Sequence, residues 1–165
     1  MRVYLPSTLT VLRVLLDSGV VGGAPLPAYA VTASLREWYA EGDDEELEYA
    51  ALHLAAKASV RLIDADPDAV RRRVVVVADV PVAEVTPVPH VDRAAVKVAS
   101  EVPMRLVQAV HVDDPDAVGD VTVAADAVVE ADLGSEQAAF RVERAEGHEL
   151  QWYAAQEIGP LLELG

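Results

Sequence analysis

Four short segments of this chain alternate apolar and polar residues, and this alternation is the strongest constraint on its fold. They span residues 2–5, 96–98, 110–113 and 150–153. Because successive side chains of a strand point to opposite sides, the apolar members of each segment share one side. If the four strands join one sheet in matching register, their polar members form an open sheet face, made of Arg2, Tyr4, Lys97, His111, Asp113, Gln151 and Tyr153. Such a face could hold a ligand, a partner or only water.

The composition limits what the chain can do. A length of 165 residues suits one domain with an ordinary core, and the lack of cysteine excludes disulfides, zinc-thiolate sites and thiol nucleophiles. Thirteen basic and 28 acidic residues give a net charge of −15, so we expect no binding to nucleic acid or anionic membranes. The chain starts in a strand-like pattern without the apolar core of a signal peptide, and no apolar run has the length of a membrane span. A cytoplasmic location is therefore expected.

Helical patterns lie between the alternating segments. Asp43 begins the longest predicted helix, which carries an apolar stripe and ends near Ile63. Residues 74–78 are apolar at every position, which predicts a central strand with both faces buried. Asp114 opens a further helix. Residues 146–147 separate two alternating runs and predict a hairpin.

Together these patterns predict a single α+β domain over residues 1–165. We expect a mixed sheet of about six or seven strands with helices mainly on one face. Weak similarity between the segments around Tyr4 and Tyr29 and those around His111 and Trp152 adds the option of ferredoxin-like halves. The indole rings of Trp38 and Trp152 are expected to fill the core.

Five blocks of the sequence resemble a known family. They are residues 1–6 (MRVYLP), 35–49 (LREWYAEGDDEELEY), 72–81 (RRVVVVADVP), 110–114 (VHVDD) and 150–158 (LQWYAAQEI). Over nearly its whole length the chain resembles a family of short actinobacterial proteins of unknown function. The resemblance implies a cytoplasmic protein of a bacterium with a GC-rich genome, and it brings no activity and no site residues.

The strongest chemical signal is a histidine and an aspartate two residues apart on one predicted strand. His111 and Asp113 would leave the same face, so they could form an acid–base pair or provide two metal ligands. The alternative is a solvated or structural pair, because the motif is short and Asp113 lies next to the predicted helix start. The pattern favours this structural interpretation, and no metal site is predicted.

Two charged clusters have simpler explanations than a binding site. Residues 41–48 contain six carboxylates, which suit the first turn of a helix because the macrodipole stabilises negative charge there. Residues 71–73 are three arginines that follow Asp64, Asp66 and Asp68, so local charge pairing is expected for them.

These observations lead to two functional hypotheses, and the sequence leaves enzymatic activity open. The first is a non-enzymatic interaction or self-associating module that uses the open sheet face. It would form a homodimer through that face or through the helix over residues 114–132, with another protein as a further partner. The second is a small-ligand-binding protein or an enzyme without a cofactor. In it His111 and Asp113 act as acid–base pair or metal ligands, and an anionic compound is oriented by Arg2, Tyr4, Lys97 and Tyr153.

Overall fold

A seven-stranded antiparallel sheet organises the chain. In the computed structural model, which describes residues 1–164, the strand order is β5-β6-β3-β1-β4-β8-β9 and a separate two-stranded sheet pairs β2 with β7. The strands are β1 (Arg2–Ser7), β2 (Val20–Val21), β3 (Leu26–Tyr29), β4 (Val74–Asp79), β5 (Val85–Pro87), β6 (Ala95–Val98), β7 (Val102–Pro103), β8 (Val107–Asp113) and β9 (Leu150–Ala154). The predicted α+β class and strand number are confirmed.

Six α-helices lie between and beside the strands. They are α1 (Leu9–Ser18), α2 (Ala33–Trp38), α3 (Asp44–Ala65), α4 (Val118–Asp132), α5 (Glu136–Glu146) and α6 (Ile158–Leu164). Short 3-10 turns cover Val82–Glu84, Met104–Leu106, Pro115–Ala117 and Ala155–Glu157. None of the helices within residues 1–164 combines the length and the apolar character needed to cross a membrane.

The strand directions differ from the mixed sheet that the sequence predicted. Each pair of neighbouring strands in the main sheet is antiparallel. β3 and β4 do run in the same direction, but β1 lies between them, so this is a split β–α–β unit of the ferredoxin-like kind. β8 and β9, which α4 and α5 connect, are direct neighbours. The second half of the chain is therefore connected differently from the first.

Helices cover both faces of the sheet, and not mainly one as predicted. On one side, the α1 face, Val3, Val76 and Val110 pack with leucines of α1 and α6. On the other side, the α3 face, Tyr4, Val75, Val77 and Ala109 contact three alanines of α3, namely Ala51, Ala55 and Ala56. The physical reason is visible in β4, whose valines are apolar on both sides and need cover on both.

The long predicted helix is confirmed as α3. The carboxylate of Asp43 accepts a hydrogen bond from the backbone N–H of Glu46 at 2.9 Å, which caps the helix start. The far end of α3 carries Val60 and Ile63, which pack against α4 and α5. The alanines of α3 pack closely against the sheet.

The predicted hairpin around residues 146–147 is wrong, because the first of its two arms is helix α5. Ser135 caps this helix by accepting a hydrogen bond from the N–H of Ala138 at 3.2 Å. Ala138, Val142 and Ala145 are buried at helical spacing against α4. The alternating run at residues 140–142 is only three residues long, and such a run fits the two periods equally well.

Candidate functional site

Helix α3 leaves part of the α3 face uncovered, and a cavity of about 460 Å³ opens there. Its floor consists of strand residues, which include Tyr4, Val77 and Ala109, and α3 forms one wall. Three of the predicted site residues, Arg2, Tyr4 and His111, line it together. The alternation pattern therefore correctly placed Tyr4 of β1 and His111 of β8 on one face of the sheet.

Two further cavities adjoin this one along α3. A more open cavity of about 910 Å³ lies between α2, α3 and residues 89–93, and an apolar one of about 260 Å³ lies towards β9. Tyr49 lines all three cavities, and Trp152 lines two of them. We call the surface that these three cavities form around Tyr49 the α3 groove. Its aromatic and imidazole members are Tyr4, Trp38, Tyr39, Tyr49, His53, His111, His148 and Trp152.

The two tryptophans do not fill the core, contrary to the prediction. Trp38 is 61% exposed and Trp152 is 60% exposed. Trp152 pairs directly with His111 across β8 and β9, and directly paired residues share a face of the sheet. Its indole therefore extends the α3 face beyond the cover that α3 provides.

His111 is a neutral, open imidazole in this groove. Burial lowers its pKa below the ordinary value of 6.5, because the low-dielectric surroundings disfavour the charged ring. Within residues 1–164, the histidine side chain that forms a hydrogen bond is that of His148, so the ring of His111 forms none. No side-chain nitrogen or oxygen that is fully buried in these residues lacks a partner, so the ring nitrogens of His111 are not fully buried. The ring nitrogens of His111 are thus open to the cavity and can donate to or accept from a ligand.

Charged groups surround the aromatic floor. Burial raises the pKa of Tyr4, and the nearby carboxylate of Glu48 acts in the same direction. Arg2 lies between two carboxylates, 3.9 Å from Glu48 and 3.8 Å from Asp79. The positive charge of Arg2 is therefore already balanced within the chain.

Asp113 does not belong to an open face. Its side chain is completely buried in a two-pronged ion pair with Arg73, whose Nε and Nη2 each donate to a carboxylate oxygen at 2.8 Å. The backbone N–H of Arg73 donates to the same carboxylate at 2.8 Å. An acid–base pair of His111 with Asp113 therefore lacks a free carboxylate. Within residues 1–164, no cluster of three or more histidine, cysteine and acidic side chains could hold a metal ion.

The arginines at residues 71–73 are structural, although their partners are not the upstream aspartates. Arg71 Nη1 donates to the carbonyl of Ile63 at 2.7 Å, and Arg72 Nε donates to the carbonyl of Asp113 at 2.9 Å. Arg72 and Arg73 are both buried. The prediction of local charge pairing is wrong, since these side chains tie β4 to α3 and β8.

Lys97 and Tyr153 lie outside the groove. Lys97 shares the face of Tyr4 and His111, as predicted, but it lies on β6, two strands away from β1. There it pairs with Pro27 and is exposed. Tyr153 pairs with Val110, so it faces the α1 side, where it packs against that core and donates a hydrogen bond to Gln151 at 3.1 Å. The prediction that Tyr153 shares a face with Tyr4 and His111 is wrong, because alternation within β9 does not say how β9 is paired.

Most residues of the groove were missed at the sequence level; among them are Glu48, Tyr49, Leu52 and Trp152. Glu48, Tyr49 and Leu52 lie at helical spacing beside the alanine stripe of α3, so a second stripe next to a buried one is the signal that could have identified them. Trp152 could be assigned only from the pairing of β9 with β8.

Comparison with known proteins places the chain in a family but gives it no activity. The chain matches no curated protein and no solved structure. A family model described as "Family of unknown function (DUF6912)" matches residues 1–162. Because the match covers nearly the whole sequence, the chain belongs to this family of unknown function, DUF6912.

Proposed function

We propose that this protein is a non-enzymatic interaction module whose α3 groove binds a basic segment of a partner protein. One observation carries the proposal: exposed aromatic rings and carboxylates line one cavity beside α3, the cavity of about 460 Å³. Tyr49 is 53% exposed in the middle of the groove, and Glu45 and Glu48 line the same cavity as Tyr49. Aromatic faces and carboxylates together favour guanidinium or ammonium groups.

The charge balance of the groove supports a cationic occupant. Five carboxylates line it, those of Glu45, Glu46, Glu48, Asp92 and Glu149. Its arginines already have partners: Arg2 lies between carboxylates, and the guanidinium of Arg93 lies 4.0 Å from the ring centre of Trp38. Among residues 1–164 the ion pairs include neither Glu45 nor Glu46, so these carboxylates are available to an external cation.

The shape of the groove supports an extended segment. Binding cavities for a small molecule are typically about 300–1,000 Å³, and here a cavity of about 910 Å³ continues into two more along α3. Arg93 on Trp38 also gives an internal example of the contact that an arginine of a partner would make with Tyr49 or Trp152.

A second candidate is a small-ligand site confined to the cavity of about 460 Å³. The observation in its favour is that Arg2, Tyr4 and the open imidazole of His111 face this one cavity. An acid–base pair of His111 and Asp113 at this site is not supported, because the carboxylate of Asp113 forms an ion pair with Arg73.

Peptide binding tests the proposal. Fluorescence anisotropy would compare a labelled hexapeptide of alternating Arg and Trp with one of alternating Glu and Trp, and we expect only the first to bind. Tyr49→Ala should weaken its binding about 10-fold, because a central aromatic contact is lost. Glu48→Gln should weaken it, whereas Glu130→Gln, which removes the same charge from the exposed side of α4, should change it less than about 2-fold.

Two results would contradict the proposal. Equal weakening by Glu48→Gln and Glu130→Gln would mean that the peptide senses only the net charge of the chain. Equal binding of the acidic peptide would mean that the carboxylates of the groove do not select its occupant.

A further inference from the structure

The sheet ends at β9 with an unprotected edge. The N–H of Asp113 donates to the carbonyl of Arg73, so the odd-numbered residues of β8 direct their backbone groups towards β4. Val110 and Val112 consequently bond to β9, where they pair with Tyr153 and Gln151. The alternate residues of β9 then direct their N–H and C=O groups away from the sheet; they are Leu150, Trp152 and Ala154.

Both outward groups of Ala154 have partners in the chain, and they mark where the free edge stops. The N–H of Ala154 donates to Oε1 of Glu157 at 2.9 Å. The carbonyl of Ala154 accepts the first bond of the 3-10 turn at Ala155–Glu157. The N–H and C=O groups of Leu150 and Trp152 remain directed outward without such partners. Trp152 is 60% exposed beside them. An edge of this kind is a template for another strand.

The opposite edge of the sheet is protected. β5 has three residues and ends at Pro87, which has no backbone N–H to offer. β9 has five residues, none of them proline and none charged, in a chain with a net charge of −15. Proline and charge are the usual devices that prevent edge pairing, and only the β5 edge has one of them.

We propose that β9 is a self-association site, at which two copies of this chain pair their β9 strands antiparallel about a two-fold axis through Trp152. Trp152 would exchange N–H and C=O hydrogen bonds with Trp152 of the partner subunit. The N–H of Leu150 in each copy would donate to the second lone pair on the carbonyl oxygen of the partner's Ala154, because the first lone pair of that oxygen accepts from the N–H of Glu157 within its own copy. The contact would contain about four hydrogen bonds, and it is self-complementary, as a two-fold interface requires.

The charges around β9 fit this register. With Trp152 on the axis, Glu149 lies opposite Ala155 of the partner subunit and Glu157 lies opposite the partner's Gly147, so no carboxylate faces another. The two indoles lie side by side on the α3 face, where their apolar surface is shielded from water. A strand without charge is where two strongly acidic copies can approach each other most closely.

A charge exchange tests the pairing. Light scattering of the unmodified chain at high micromolar concentration should give twice the monomer mass of 17.6 kDa. Trp152→Glu and Trp152→Lys should each give the monomer mass, because each places like charges opposite each other. An equimolar mixture of the two variants should restore the doubled mass. A monomeric mixture, or a monomeric unmodified chain, overturns the proposal.

A thiol test fixes the register, since the chain has no cysteine of its own. Hydrogen-bonded antiparallel neighbours have Cα atoms about 5.5 Å apart, which is within disulfide range. Trp152→Cys should therefore form a covalent dimer under mild oxidation, and Gln151→Cys should not, because its opposite residue is Tyr153 of the partner subunit. Equal cross-linking of both variants overturns the proposed register.

Pairing of two β9 strands does not require that the α3 groove is occupied. Tyr49→Ala should abolish most peptide binding while the mass stays doubled, because Tyr49 lies on α3 and not on β9. A doubled mass without peptide binding would therefore reject the proposed function alone, and peptide binding by a monomer would reject the β9 pairing alone.

Discussion

The buried ion pair of Asp113 with Arg73 provides the most direct test of how this fold is held together. The exposed fractions of the two side chains are 0% and 3%. Asp113→Asn keeps the volume but removes the charge that three donors of Arg73 share, and the new amide NH2 would face one of those donors where a carboxylate oxygen had accepted. The guanidinium would keep its bond to the carbonyl of His148 at 2.8 Å. Removing one partner of a buried pair typically costs about 3–5 kcal/mol.

Such a loss would be large for this chain. The total stability of a domain is about 5–15 kcal/mol, and at this size each kcal/mol shifts the melting temperature by about 2–4 °C. We therefore expect Asp113→Asn to lower the melting temperature by about 6–20 °C. Urea unfolding followed by circular dichroism would measure the free energy directly, with an unchanged m value as evidence that only stability changed.

A matched control is available in the same protein. Arg61 and Asp132 form a two-pronged ion pair with distances of 2.8 and 2.9 Å, but their side chains are 42% and 45% exposed. Asp132→Asn should cost no more than about 1 kcal/mol, since water solvates the remaining charge. If Asp113→Asn and Asp132→Asn cost the same, the reasoning from burial is refuted.

Three further predictions concern pH, salt and glycine. Because burial lowers the pKa of His111 below 6.5, the folded chain binds fewer protons there than the unfolded chain, so this contribution to stability is complete above pH 6.5 and is lost as the pH falls through the folded pKa. His111→Gln should flatten that part of a urea-midpoint profile against pH. Added neutral salt should raise the melting temperature by screening the net charge of −15, and gel-shift assays at 50 mM salt should detect no duplex DNA complex. Gly19→Ala should cost about 1 kcal/mol at its left-handed φ of 81°, whereas Gly119→Ala, within helix α4 and with open space for a methyl group, should add about 0.5–1 kcal/mol of unfolding free energy.

Local patterns predicted most of the elements because their signals are complete within a few residues. The cap at Asp43 and the stripe that follows it define α3. The apolar run at residues 74–78 defines β4, which lies between β1 and β8 in the middle of the sheet. Neither signal needs knowledge of the partner element.

The faces of the sheet could not be predicted in the same way. Alternation shows which residues of one strand share a side, but the pairing of strands decides which sides coincide. Tyr153 and Trp152 illustrate this: pairing with Val110 places Tyr153 on the α1 face, and pairing with His111 places Trp152 on the α3 face. Because helices cover both faces, neither face of the sheet is marked by polarity alone.

The burial of Asp113 in an ion pair had no local signal in the sequence either. Its partner Arg73 lies 40 residues away in the sequence, and two neighbouring arginines were equally plausible partners for any carboxylate. Only the register of β4 with β8, in which Val74 lies opposite Val112, brings Arg73 to Asp113. The pair that suggested chemistry in the sequence is therefore divided by the fold: His111 lies open to the groove and Asp113 is enclosed.

The groove itself follows from the side chains of α3. Ala51, Ala55 and Ala56 lack atoms beyond Cβ, so the helix can lie close to the valines of the sheet. Tyr49 and Leu52 are too large for that contact and lie beside it, along the wall of the groove. A helix that contacts the centre of a seven-stranded sheet mainly through alanine cannot cover it, because its narrow contact surface leaves the outer strands without cover. The same residues that bury the centre of the α3 face thus leave His111 of β8 half-buried and Trp152 of β9 exposed in the groove.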